Sequence, residues 1–131
     1  MFEIGEKGNK EVACISGAHQ RGISEVSWSH DGAYLATASD DKTIAIWSLE
    51  SISKGNWTEP LRRLTGHTSY VYCCAFSPSG SLLASGGFDD SLKIWDLRKG
   101  RPFQEIAAHG DPVTSVSFSD DSSMVLTSSY D

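Results

Sequence analysis

Twenty-two residues after a histidine this chain places an aspartate, and it does so three times: His19 and Asp41, His67 and Asp89, His109 and Asp131. A spacing kept that strictly marks internal repetition, and a repeated unit constrains a fold more tightly than composition does. Other positions keep the same count. A hydroxyl stands four residues before each aspartate (Thr37, Ser85, Thr127), and a tryptophan six residues after the first two (Trp47, Trp95). The third repeat reaches only its aspartate. Apolar residues recur four, seven and nine places beyond the histidines: Ile23, Val26 and Trp28; Val71, Cys74 and Phe76; Val113, Val116 and Phe118. The last two of each set lie two apart, the period of a strand, so each unit is expected to open with a strand buried on one face. Ser27, Ala75 and Ser117 lie between them and face the other way.

Turn residues punctuate the rest of each unit. His30-Asp31-Gly32, Pro78-Ser79-Gly80 and Asp120-Asp121-Ser122 close the first strands. Second strands are predicted over 34–39, 82–87 and 124–129, third strands over 43–49 and 92–97, and fourth strands over 61–64 and 103–107. Four short strands in each 42 to 48 residues is the pattern of a β-propeller blade. The six extra residues of the longer unit fall in one loop, around the SISKGNWTEP stretch. The expected fold is therefore all-β: a partial propeller with about two complete four-stranded blades and parts of two more. Residues 1–17 are read as the end of a preceding blade, 18–65 as repeat one, 66–107 as repeat two and 108–131 as a truncated repeat three. An open array leaves strand edges and blade faces bare. It is expected to be a piece of a longer product, or marginally stable and self-associating if made alone.

Eleven Lys and Arg against seventeen Asp and Glu give a net charge of −6, a poor footprint for direct nucleic-acid binding. No apolar run approaches the roughly 18 residues that span a bilayer, and the first ten residues do not read as a secretory signal. Cys14, Cys73 and Cys74 are too few and too oddly placed for a disulfide framework or a zinc site. They read as reduced residues of an intracellular protein, with Cys73 and Cys74 pointing to opposite faces of one strand.

A histidine, a hydroxyl and an aspartate together invite a nucleophilic triad. An enzyme needs that set once, whereas here it recurs in every unit. The reading preferred is a hydrogen-bonded network, His–Ser/Thr–Asp–Trp, that satisfies polar groups between the strands and staples the loop before the first strand to the turn after the second. Asp40-Asp41, Asp89-Asp90 and Asp120-Asp121 sit at turns, where aspartate is favoured for local reasons, and no metal site is assigned to them. No phosphate-binding loop, His-x-Glu zinc pattern or nucleophile elbow is present, so neither cofactor nor small-molecule substrate is expected.

Positions where the repeats disagree carry the functional information. Just before the aspartates are Asp40, Phe88 and Tyr130; five after the histidines are Ser24, Tyr72 and Thr114. Antiparallel order puts both sets on one rim. Large aromatics beside a carboxylate suit a cationic peptide side chain. The alternative is that they pack on neighbouring loops. Trp57, in the inserted loop, belongs to the opposite rim, as a second contact or as a cover for the loop.

The stretches GISEVSWSHDGAYLATASDDKTIAIW, GHTSYVYCCAFSPSGSLLASGGFDDSLKIWDL and AHGDPVTSVSFSDDSSMVLTSSYD resemble WD-repeat proteins. Through GIS, SDDKT, YVYCC and SSYD they more narrowly resemble the propeller subunit of COMPASS/MLL-type histone lysine methyltransferase complexes. The resemblance runs from Ser16 to Asp131, broken from Glu50 to Pro60. It implies a nuclear, non-catalytic scaffold that docks arginine-containing motifs of the methyltransferase and of histone tails. It also implies that Ser24, Asp40, Phe88, Thr114 and Tyr130 match rim positions of the arginine pocket. Tyr72 falls where the family usually has one of two phenylalanines that sandwich the arginine; the second comes from a later blade. Alternatives are a WD-repeat scaffold for a ubiquitin ligase or RNA-processing complex, or a truncated product without function.

Overall fold

The computed structural model describes residues 1–5, 8–11, 13–55 and 58–131. After a two-stranded ribbon, β1 (Phe2–Gly5) with β2 (Gly8–Glu11), the chain builds two four-stranded antiparallel sheets. The first holds β3 (Ile23–Trp28), β4 (Tyr34–Ser39), β5 (Thr43–Ser48) and β6 (Arg62–Thr65); the second holds β7 (Val71–Phe76), β8 (Leu82–Gly87), β9 (Ser91–Asp96) and β10 (Arg101–Ala107). Strands lie side by side in chain order, joined by short turns except between β5 and β6, where a longer loop intervenes. A third sheet has two strands, β11 (Ser115–Phe118) and β12 (Val125–Ser128). The sheets stack as blades, β3 against β7 and β7 against β11, in an unclosed array. This is the all-β partial propeller expected from the repeat.

The odd spacing of the apolar triplets has a structural cause. The register of β3 on β4 shifts between Ile23 and Glu25, and that of β7 on β8 between Val71 and Cys73. A bulge inserts one unpaired residue, so positions three apart return to the same face. Val71, Cys74 and Phe76 therefore all face blade one, where they pack on Ala36, Ile44 and Leu64. Cys73 faces the other way and joins Ala84, Leu92, Val113 and Val116 in the seam with blade three. That second seam is close: a Cβ on Gly86 would fall within 2.4 Å of the Val113 side chain, so glycine is required there.

Two expectations need correction. The triplet of repeat one is not buried: Ile23, Val26 and Trp28 are 48, 56 and 49% exposed, and among the described residues no four-stranded sheet stacks on that face. In the loop between β5 and β6, α1 (Leu49–Ser53) forms at the start and buries Ile52 beside Trp47. Several strand ends move by a residue, with β6 starting at Arg62 and β12 at Val125.

Candidate functional site

Both rims are built from hairpin ends, and the two differ in chemistry. On one rim the loop before each first strand meets the turn after each second strand. There the structure brings together His19, Thr37, Asp41 and Trp47 in blade one and His67, Ser85, Asp89 and Trp95 in blade two. In blade two the Trp95 indole N–H donates to Ser85 Oγ at 2.8 Å. Ser85 Oγ lies 2.7 Å from His67 Nε2, and His67 Nδ1 lies 2.8 Å from the Asp89 carboxylate. A carboxylate only accepts, so Nδ1 carries the imidazole proton and Nε2 accepts the Ser85 hydroxyl. One neutral histidine thus satisfies the whole chain of donors. Burial pushes the His67 imidazole below its usual pKa, against the pull of Asp89.

The aspartates also order their own turns. Asp89 accepts the Thr68 amide and the Ser91 hydroxyl; Asp41 accepts the Gln20 amide and the Thr43 hydroxyl. Burial opposes ionisation of Asp41, yet Thr43, Gln20 and His19 outweigh it and hold its pKa at about 2. Asp89 is lowered in the same way: burial is overcome by His67, the Thr68 amide and Ser91. Lys42 and Asp90 follow at φ 73° and 59°, left-handed positions of tight turns. The second carboxylate of Asp89-Asp90 is a turn residue. A buried Lys93 lies beside this network, its Nζ 2.6 Å from Glu105. Ser85 itself is fully buried with its oxygen already taken by Trp95, an arrangement that holds strands rather than attacks a substrate.

Blade three repeats the polar set without a tryptophan: His109 lies 2.9 Å from both Asp131 and Thr127. The Gly110 amide donates to Asp131 and lowers its pKa.

The variable rim residues are only partly gathered. Tyr72 and Phe88 stand together, ring centroids 5.6 Å apart, 44 and 47% exposed. Tyr70 packs edge-on to Phe88 at 5.8 Å, a partner that sequence reading missed. Its signal was present: three after the histidines the repeats hold Gly22, Tyr70 and Pro112, another position of disagreement. Asp40 lies across the seam in a polar cleft of about 430 Å³ that it shares with Arg21, Lys42 and Tyr70. Ser24 is occupied, its Oγ donating to the Val71 carbonyl of the next blade at 2.5 Å. Thr114 Oγ1 bonds the Ser128 carbonyl, and Tyr130 stands apart, 88% exposed. Trp57 lies outside the described residues. Among the described residues no group of three His, Cys, Asp or Glu side chains is placed to hold a metal ion.

A second repeated device also escaped the sequence reading. Ten residues after each histidine is a serine, Ser29, Ser77 or Ser119. Each hydroxyl accepts an amide at or just before the start of the next strand, from Tyr34, Leu82 and Met124.

Repeated blades, each stapled by a His–Ser/Thr–Asp network, define a propeller-type repeat protein. Comparison with known proteins makes the assignment specific. The family described as "WD domain, G-beta repeat" matches residues 9–48, 58–96 and 100–131, and the chain belongs to that WD-repeat family. COMPASS component SWD3 of Saccharomyces cerevisiae is 40% identical over the whole chain, which covers 39% of that protein. Protein HIR1 of Cryptococcus neoformans is 36% identical over 70% of the chain. Human apoptotic protease-activating factor 1 is 34% identical over 92% of it. The chain spans only 12% and 10% of those two proteins.

Proposed function

We propose that this chain is part of a non-catalytic scaffold that docks arginine-containing peptides on its histidine rim, within a nuclear histone lysine methyltransferase complex of the COMPASS/MLL type. The observation that carries the reading is the exposed pair Tyr72 and Phe88 on the rim that also holds Asp40. A guanidinium stacks on such rings for about 0.5–1 kcal/mol at an exposed site, and a carboxylate adds charge and direction. Ser24, Thr114 and Tyr130 are further rim positions of this reading. Residues 1–17 then belong to the end of a preceding blade, with repeats over 18–65, 66–107 and 108–131. The 40% identity over the whole chain to part of SWD3 supports this complex in particular. A second reading, a scaffold for another assembly, draws on the matches to HIR1 and apoptotic protease-activating factor 1.

Fluorescence anisotropy with a labelled arginine-containing histone-tail peptide separates the two. Asp40→Ala and Phe88→Ala should each weaken binding about tenfold, and a lysine-for-arginine peptide should bind less well. Unchanged affinity in both variants would remove the arginine pocket and leave the second reading.

A further inference from the structure

The opposite rim carries a groove of different character, at the seam where blade two stacks on blade one. Its volume is about 280 Å³. Ile46 and Phe76 form an apolar floor, Tyr34 and Leu61 rise beside it, and the guanidinium side chains of Arg62 and Arg98 flank it. Tyr34 is 39% and Leu61 62% exposed, a large apolar surface to leave beside two cations.

Among the described basic residues some are paired, and others, Lys10, Arg21, Lys42 and Arg101 as well as the two of the groove, have no carboxylate within ion-pairing distance. Lys54, Lys93 and Lys99 each pair with a carboxylate, and Arg63 is tied to Thr43 and the Ala18 carbonyl. Among the described residues neither Arg62 nor Arg98 lies within ion-pairing distance of a carboxylate. The nearby Asp96 is engaged by the Arg98 and Lys99 amides. In a chain of net charge −6, these two guanidiniums place positive charge beside an apolar floor, with Asp96 near Arg98. Arg62 Nη1 lies over Gly100, in the space that a Cβ there would need.

We propose that this seam groove docks an acidic–apolar segment of a partner protein. Its carboxylates meet Arg62 and Arg98, and a neighbouring aliphatic side chain enters the floor between Tyr34 and Phe76. Charge complementarity selects that partner: the guanidinium fork matches a carboxylate, and the floor rejects a purely polar acidic chain. Both walls come from the two complete blades. The site lies on the rim away from Asp40 and Phe88 and attracts the opposite charge, so it stands or falls independently of the arginine pocket.

The test uses the whole chain and a fluorescein-labelled peptide that alternates aspartate with leucine and valine. Two further peptides replace the aspartates by asparagine or the apolar residues by serine. The expected result is saturable binding of the first peptide, weakened about tenfold or more by Arg62→Glu with Arg98→Glu and by Leu61→Ser. Phe88→Ala should leave it unchanged, and rising salt should weaken it. Equal binding of the asparagine peptide, or binding indifferent to the arginine variants, overturns the proposal. So does the absence of peptide binding together with arginine-dependent binding to phosphatidylserine vesicles, which would assign the groove to a lipid surface. Circular dichroism of each variant against the parent chain shows whether a loss reflects unfolding; a folded variant that still binds fully counts against the groove.

Discussion

The polar networks of blades two and three share geometry and differ in surroundings. His67 lies 2.8 Å from Asp89, and His109 2.9 Å from Asp131. Yet the side chains of His67 and Asp89 are 1 and 8% exposed, against 20 and 37% for His109 and Asp131. Blade two has Trp95 over its network and a third strand beside it; blade three has blade two on its inner seam, but its described sheet holds two strands and its network no tryptophan. The comparison shows that hydrogen-bond distances are set locally by two hairpin ends, whereas their energetic weight is set by what excludes water. A broken bond in a wet site is replaced by water, while a buried partner left alone keeps its desolvation cost.

The largest expected effect follows directly. Asp89→Ala strips His67, the Thr68 amide and Ser91 of their acceptor and should destabilise the blade by about 1–3 kcal/mol in urea unfolding. Asp131→Ala should leave the urea midpoint unmoved. Equal losses would break the comparison, because burial would then be irrelevant.

Acid sharpens it next. The folded pKa of His67 lies below its ordinary 6.5, so the unfolded chain binds a proton first. Stability is then full above pH 6.5 and declines as pH falls towards the lowered folded value. Asp89, also lowered in the fold, contributes stability above its ordinary 3.8 that is lost as pH falls through its folded value. Chemical unfolding between pH 7 and 5 should show a decline that His67→Gln flattens; an unaltered slope in that variant would assign the decline elsewhere.

The smallest effect is in exchange of single amides. Thr68 and Gly110 each donate an amide to the network aspartate, at 2.9 and 2.8 Å. Thr68 should exchange with deuterium more slowly, since opening its loop exposes a buried histidine. Similar rates would mean that loop opening is governed by the hydrogen bond alone.

Much of the fold was legible because its signals are local and repeated. The twenty-two-residue spacing, the turn residues and the alternation placed the hairpins, and β4 and β8 fell on their predicted bounds. Position-by-position disagreement between the repeats pointed to Tyr72 and Phe88, which do meet, and passed over Tyr70, which packs on Phe88. The Ser24 hydroxyl donates to the neighbouring blade's Val71 carbonyl, a bond no single repeat can reveal.

From the amino-acid sequence alone came the number of repeats, their strand order and the membership of each polar network. Those depend on residues brought together by one tight hairpin, so spacing suffices. Tertiary structure alone decided the rest: the bulges that rotate Val71 and Cys74 onto one face, and the exposure of Ile23, Val26 and Trp28. It also decided the burial that separates Asp89 from Asp131 and the pairing of Arg62 with Arg98 across a seam. Each of these depends on which sheet lies against which, a long-range arrangement that no spacing within one unit encodes.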